Sequence, residues 1–319
     1  FLDGYYQEVQ LLSNVFSFDG VNMSDTWAIC SCAAALHIST IPLVKAIAGV
    51  RIGMIDDKFI VNPTVAQTKD SLCDIMVAGT ADAVLMIEGE CRFLTEARVL
   101  EAIKLAQESI ATICHAMDEL RAKVGKPKNT EKLLLVNPEL YEIVDKYSEG
   151  IDQALVVTKK EGREEAVEAI RKRVFGALDP TQEEKMQKPE ESAQRAVLLR
   201  MAWKKVISDR MRHIILQTGV RPDGRKLTEV RPIWIDPGVL PMAHGSALFT
   251  RGETQALVVA TLGGEDAAQK YESLMGDGAR RFYLQYNFPP FSVGEVGRVG
   301  APGRREVGHG KLAERALDP

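Results

Sequence analysis

The chain has 319 residues, 45% hydrophobic and 26% charged, with a formal net charge of −4. That length predicts two or three domains rather than one core, and the composition is that of a globular protein. The mild acidity excludes a general polyanion-binding protein, which is usually strongly basic, so any nucleic-acid contact must come from a local basic patch.

The first section, about 1–126, alternates short strand-like runs with helix. Residues 8–17 mix apolar and β-branched positions and predict a strand. The alanine-rich stretch 25–37, stopped near Ile41-Pro42, predicts a buried helix. Residues 48–55 and 58–61 predict a hairpin turned at Asp56-Asp57, and 74–79 and 83–88 predict two more strands. Residues 95–120 place Val99, Ile103, Leu105, Ile110, Ile113 and Met117 at helical spacing, so a long amphipathic helix is expected.

The middle section, about 127–217, is charge-rich and poor in glycine. Ala166, Ile170 and Val174 follow helical spacing, and a small all-helical domain is expected, with breaks at Gly176 and Asp179-Pro180. The charged stretches 159–173 and 181–195 read as solvated faces.

The third section, about 218–319, opens on Pro222-Asp223-Gly224, where proline presets φ and glycine accepts a positive one. Strands are expected over 230–235, 245–250 and 256–262, and a helix from 311 to 317. Five cysteines (Cys30, Cys32, Cys73, Cys91 and Cys114) have no metal-knuckle spacing. They read as reduced thiols of a cytoplasmic protein. The apolar run 78–87 is interrupted by Asp82 and too short to span a bilayer, so no membrane contact is expected. No signal peptide is read, and the opening without Met suggests a piece of a longer protein.

The densest chemistry lies near the C-terminal end. Arg280-Arg281-Phe282-Tyr283 leads into Asn287-Phe288-Pro289-Pro290-Phe291-Ser292-Val293-Gly294-Glu295, then Arg304-Arg305-Glu306-Val307-Gly308-His309-Gly310. Arginines bind phosphate oxygens through two donors at once, and aromatic rings offer faces to unpaired bases. The block points to single-stranded nucleic acid held at its phosphates.

These blocks, with His244-Gly245-Ser246-Ala247 through Thr250-Arg251-Gly252-Glu253-Thr254-Gln255, and with Val61-Asn62-Pro63-Thr64 and Val77-Ala78-Gly79-Thr80, resemble the bacterial polynucleotide phosphorylase family. The order and spacing of the motifs carry the resemblance, which covers nearly the whole chain and is weakest in the middle. It implies an α+β fold: two RNase PH-like cores, both partial here, joined by an all-α domain. Residues 1–126 would be the C-terminal half of the first core, 127–217 the helical domain and 218–319 the N-terminal half of the second.

The resemblance also implies a homotrimer that degrades single-stranded RNA from its 3′ end. Inorganic phosphate is the co-substrate, nucleoside diphosphates are released, and the reaction reverses into polymerisation. It implies Mg2+, with ligands expected beyond Pro319, and possible membership of an RNA-degradation complex. This piece alone is expected to be inactive. Arg304, Arg305 and His309 match the family's catalytic motif. Without the resemblance, the arginines would read as a surface turn and His309 as a structural histidine.

Arg251, Arg280 and Arg281 are candidate RNA contacts, although Arg251 equally fits a plain hairpin. Phe288 and Phe291 read as core, and His244 as structural. In the first core, the family's phosphate loop and metal segment fall on Ser24-Asp25 and on 68–76. There Thr68 replaces an acid, Asp74 keeps one and Met76 replaces a lysine, so this core is expected to be catalytically silent. The alternative is a non-catalytic RNA-binding or assembly subunit of an exosome-like ring.

Overall fold

The computed structural model describes residues 1–131 and 133–317. Contacts divide the chain into two units: one comprises Phe1–Leu2, Gln7–Glu131 and Gly263–Pro319, the other Asp3–Tyr6 and Lys132–Leu262. Each contains both helices and antiparallel sheet, so the fold is α+β.

The first unit is built on four antiparallel strands: β1 (Ala48–Ile55), β2 (Lys58–Val61), β3 (Cys73–Gly79) and β4 (Val84–Cys91), in the order β2-β1-β3-β4. The expected hairpin is present. Asp56 and Asp57 both take positive φ, 48° and 61°, the backbone that a two-residue hairpin loop requires. Val50, Ile52 and Met54 alternate inward with Ile75 and Val77 from the neighbouring strand. Helix α1 (Asp25–Ile38) and helix α3 (Glu96–Val124) supply the rest of this core, and the short α2 (Val65–Lys69) lies between them in sequence.

Thr95 caps α3 by accepting a hydrogen bond from the Arg98 N–H. Ala102, Ala106, Ile110, Cys114 and Met117 then bury one face of it. The alanines are small, which lets the helix axis approach the strands. Residues 8–17, expected as a strand, form none: no neighbouring strand pairs with them, and most of their side chains are exposed. β-propensity without a partner edge does not make a strand.

The last part of this unit holds the hairpin β8 (Gln269–Ser273) and β9 (Gly276–Arg280), and helix α9 (Arg304–Leu317). Helix α9 starts seven residues before the expected 311, so Arg304 and Arg305 lie in a first helical turn, not a surface turn.

The second unit holds helices α4 (Pro138–Tyr147), α5 (Ile151–Leu155), α6 (Lys160–Leu178), α7 (Gln182–Gln187) and α8 (Pro189–Thr218). They enclose Val144, Ile151, Leu155, Val174, Leu199, Ala202, Trp203 and Val206. The Trp203 ring meets Phe175 edge-on at 6.3 Å. Arg210 on α8 donates to Asp145 on α4 at 2.7 Å and reaches Asp152 on α5 at 3.5 Å, tying three helices together. Gly176 does not break α6: it is exposed with open space around it, so its cost is only the lost helix propensity. The expected break at Asp179-Pro180 does occur.

Strands β5 (Ile233–Pro237), β6 (Gly245–Arg251) and β7 (Thr254–Ala260) complete the unit as an antiparallel sheet. Among the described residues no helix is long and apolar enough to cross a membrane.

Candidate functional site

The site grows from the start of α9. The Gly303 carbonyl accepts the Val307 N–H at 3.0 Å as the first helix bond, and the Glu306 carboxylate accepts the Gly303 N–H at 2.6 Å, one half of a capping box, which marks where the helix begins. A helix N-terminus carries free N–H groups and a partial positive charge. Arg304 and Arg305 are exposed in that first turn and make no ion pair among the described residues. Two unpartnered guanidinium groups at a helix N-terminus suit an anion such as phosphate. His309 follows Arg305 by four residues, so both project from the same side of the helix.

A second segment holds this helix in place. The other oxygen of Glu306 accepts the Phe288 N–H at 2.8 Å, and buried Glu314 accepts the Leu284 N–H at 3.1 Å. Between these clamps, Tyr286 lies beside Gly310: a Cβ on Gly310 would sit 3.1 Å from the Tyr286 Cβ. Segment 284–288 therefore runs antiparallel along α9 in a fixed register. The two backbone hydrogen bonds, first that from Gly303, hold the Glu306 carboxyl below its ordinary range. Burial pushes the Glu314 carboxyl up, but Lys311 and the Leu284 N–H outweigh it, and the net shift is downward.

The other predicted residues are placed differently. Arg280 ends β9 with its guanidinium 4.9 Å from the Tyr271 ring centre, and Arg281 donates to Glu265 at 2.8 Å. Both belong to the same unit as α9, but each already has an internal partner. Arg251 belongs to the other unit, at the β6–β7 turn where Gly252 takes φ +62°. The next residue, Glu253, accepts the Lys160 N–H at the start of α6 at 3.3 Å, so that turn docks on a helix N-terminus. His244 is structural, its Nδ1 accepting the Leu262 N–H at 2.9 Å. Phe288 and Phe291, expected in the core, are 47% and 75% exposed; Phe288 meets α9 through its backbone N–H, which donates to Glu306.

In the first section the degenerate positions come together. Arg51 donates to both Asp25 and Asp74, and Met76 lies opposite Arg51 across the strand pair. Burial is the largest single influence on the Arg51 guanidinium and disfavours its charge, but the attraction and hydrogen bonds of Asp74 and Asp25 together outweigh it, and the net shift is upward. Among the described residues, no group of three or more His, Cys, Asp or Glu side chains is arranged to hold a metal ion.

The sequence reading did not find Glu306, Glu314, Tyr286 or Arg51. A local signal existed for Glu306 alone, which stands three residues after Gly303, as in a capping box.

Comparison with known proteins defines the class. Residues 45–109 match the description "3' exoribonuclease family, domain 2", and 229–319 match "3' exoribonuclease family, domain 1". Between them, 139–226 match "Polyribonucleotide nucleotidyltransferase, RNA binding domain". The chain is 55% identical over 318 residues to the polyribonucleotide nucleotidyltransferase of Protochlamydia amoebophila, covering 99% of this chain and 45% of that protein. It is 48% identical over 312 residues to the protein of the same name from Chlamydia caviae, covering 98% of this chain and 44% of the relative. The chain belongs to the polyribonucleotide nucleotidyltransferase family, and it spans less than half the length of these relatives.

Proposed function

We propose that the protein carrying this chain degrades single-stranded RNA from the 3′ end by phosphorolysis. A phosphate oxygen bonds to the terminal phosphorus, the bond from that phosphorus to O3′ of the preceding nucleotide breaks, and a nucleoside diphosphate leaves. The preceding O3′ takes up a proton. The observation that carries the reading is the pair Arg304 and Arg305, free of acidic partners at the N-terminus of α9. The reaction brings two anions together, and fixed cationic donors offset their repulsion and stabilise the charge that develops. His309, one turn beyond Arg305, donates a hydrogen bond to a phosphate oxygen in this scheme. Arg251, Arg280 and Arg281 serve the RNA path, the last two by exchanging internal partners for phosphates.

The domain limits proposed are 1–126, 127–217 and 218–319, with the first and last as partial RNase PH-like cores. The whole protein is proposed to be a cytoplasmic homotrimer that acts within RNA turnover. Mg2+ is proposed for the complete enzyme, but the described residues do not fit it. Asp25 and Asp74, which could have contributed carboxylates, are held by the Arg51 guanidinium. No step is assigned to metal here.

For residues 1–126 the same Arg51 triad favours the non-catalytic role, in assembly and in guiding RNA. A phosphate there would meet two carboxylates, and a cation would meet an arginine.

The test uses the full-length protein and poly(A), with and without inorganic phosphate. ADP that appears only with phosphate supports the reading. AMP in either buffer would mean hydrolysis, and RNA binding without product would mean a non-catalytic subunit.

A further inference from the structure

Imidazole on an exposed helix face samples several rotamers, and a group that must meet a phosphate oxygen loses efficiency with each unproductive one. His309 is exposed on α9, yet its ring is not free. The Tyr286 ring lies 4.4 Å away, centre to centre, at an interplanar angle of 61°, an edge contact. Tyr286 in turn lies nearly parallel to Phe288, at 6.4 Å and 8°.

The backbone beneath these rings is pinned at both ends. Glu314 holds Leu284, Glu306 holds Phe288, and Gly310 admits Tyr286 where any side chain would press on its Cβ. Glu306 also caps the helix that presents Arg304 and Arg305. One carboxylate thus links the arginine turn to the segment that carries the aromatic ring.

We infer that Tyr286 is a positioning residue for His309: the clamped segment 284–288 sets the aromatic ring that confines the imidazole to the side of α9 bearing Arg305. This deepens the phosphorolysis reading and rests on it for its catalytic consequence. The orientation itself does not depend on it. The contact is between the two rings, not through the phenol hydroxyl, so phenylalanine substitutes for tyrosine and an aliphatic side chain does not.

The experiment uses the full-length protein with Tyr286→Leu and Tyr286→Phe. Two readouts are taken: the rate of carbethoxylation of His309 by diethyl pyrocarbonate, followed by mass spectrometry, and kcat and KM for phosphate-dependent release of nucleoside diphosphate. Tyr286→Leu is expected to raise the modification rate several-fold. It is expected to lower kcat about tenfold with KM for RNA unchanged. Tyr286→Phe is expected to keep both at the wild-type level.

An unchanged modification rate in Tyr286→Leu overturns the inference, even if kcat falls, because the effect would then be general to the fold. Should Tyr286→Leu fail to fold, Tyr286→Met is measured by the same criteria. If the wild-type protein releases no nucleoside diphosphate, the phosphorolysis reading fails on its own, and the modification rates still decide the role of Tyr286.

Discussion

The buried carboxylate of Glu314 accepts the backbone N–H of Leu284 at 3.1 Å, thirty residues earlier in the chain. Lys311, one turn before it on α9, donates to its other oxygen. This places a long-range anchor inside a helix that otherwise exposes most of its surface, and it accounts for how the Arg304 turn keeps its place beside segment 284–288.

Replacing that anchor has a defined cost. Glu314→Ala leaves the Leu284 N–H without its acceptor, and a loss of about 1–3 kcal/mol is expected. Hydrogen exchange at Leu284 and Tyr286 should accelerate while exchange in β1 and β3 stays at its wild-type rate. Glu314→Gln, which keeps an acceptor, should recover part of the protection.

The same clamp weakens in acid. Glu306 and Glu314 both titrate below the ordinary glutamate value of 4.5 in the folded protein. A depressed folded pKa gives stability that is complete above the unfolded value and is lost as pH falls through the folded one. Segment 284–288 should therefore detach below about pH 4.5, seen as a change in Tyr286 environment by near-ultraviolet circular dichroism, and it should be unaffected between pH 6 and 8.

The cysteines make a separate check. Burial is the main cause that pushes the thiols of Cys73 and Cys114 up to about 11. The thiolate is the nucleophile, so both should resist iodoacetamide at pH 8 in the native state. Half-exposed Cys32 is expected to be modified first, with peptide mass spectrometry as the readout.

In the helical unit, Leu199 is fully buried beside Val206 and Trp203. Leu199→Ala is expected to cost about 2–5 kcal/mol by leaving a cavity. Denaturant unfolding should detect this as a lowered midpoint, with the far-ultraviolet spectrum retained at zero denaturant.

Much of this architecture was legible from local pattern. Asp56-Asp57 between two apolar runs defined the β1–β2 hairpin, and the spacing of Ile110, Ile113 and Met117 defined α3. Local pattern failed where the outcome depends on distant partners. Residues 8–17 have strand-like composition but no adjacent edge. The start of α9 was obscured by Gly308 and Gly310, which lower helix propensity. Gly310 is retained because Tyr286 occupies the space a side chain would need.

The arginine pair and His309 were visible as a motif, whereas their support was not. Glu314 meets Leu284, and Arg51 meets Asp25 and Asp74, across sequence separations that no periodicity encodes.

The most direct measurement compares the full-length protein with its Arg304→Ala, Arg305→Ala double variant, in ADP release from poly(A) at saturating phosphate. The account predicts a loss of at least about 100-fold, with the fold retained by circular dichroism. A double variant that releases ADP at the wild-type rate would contradict the assignment of phosphate binding to the N-terminus of α9.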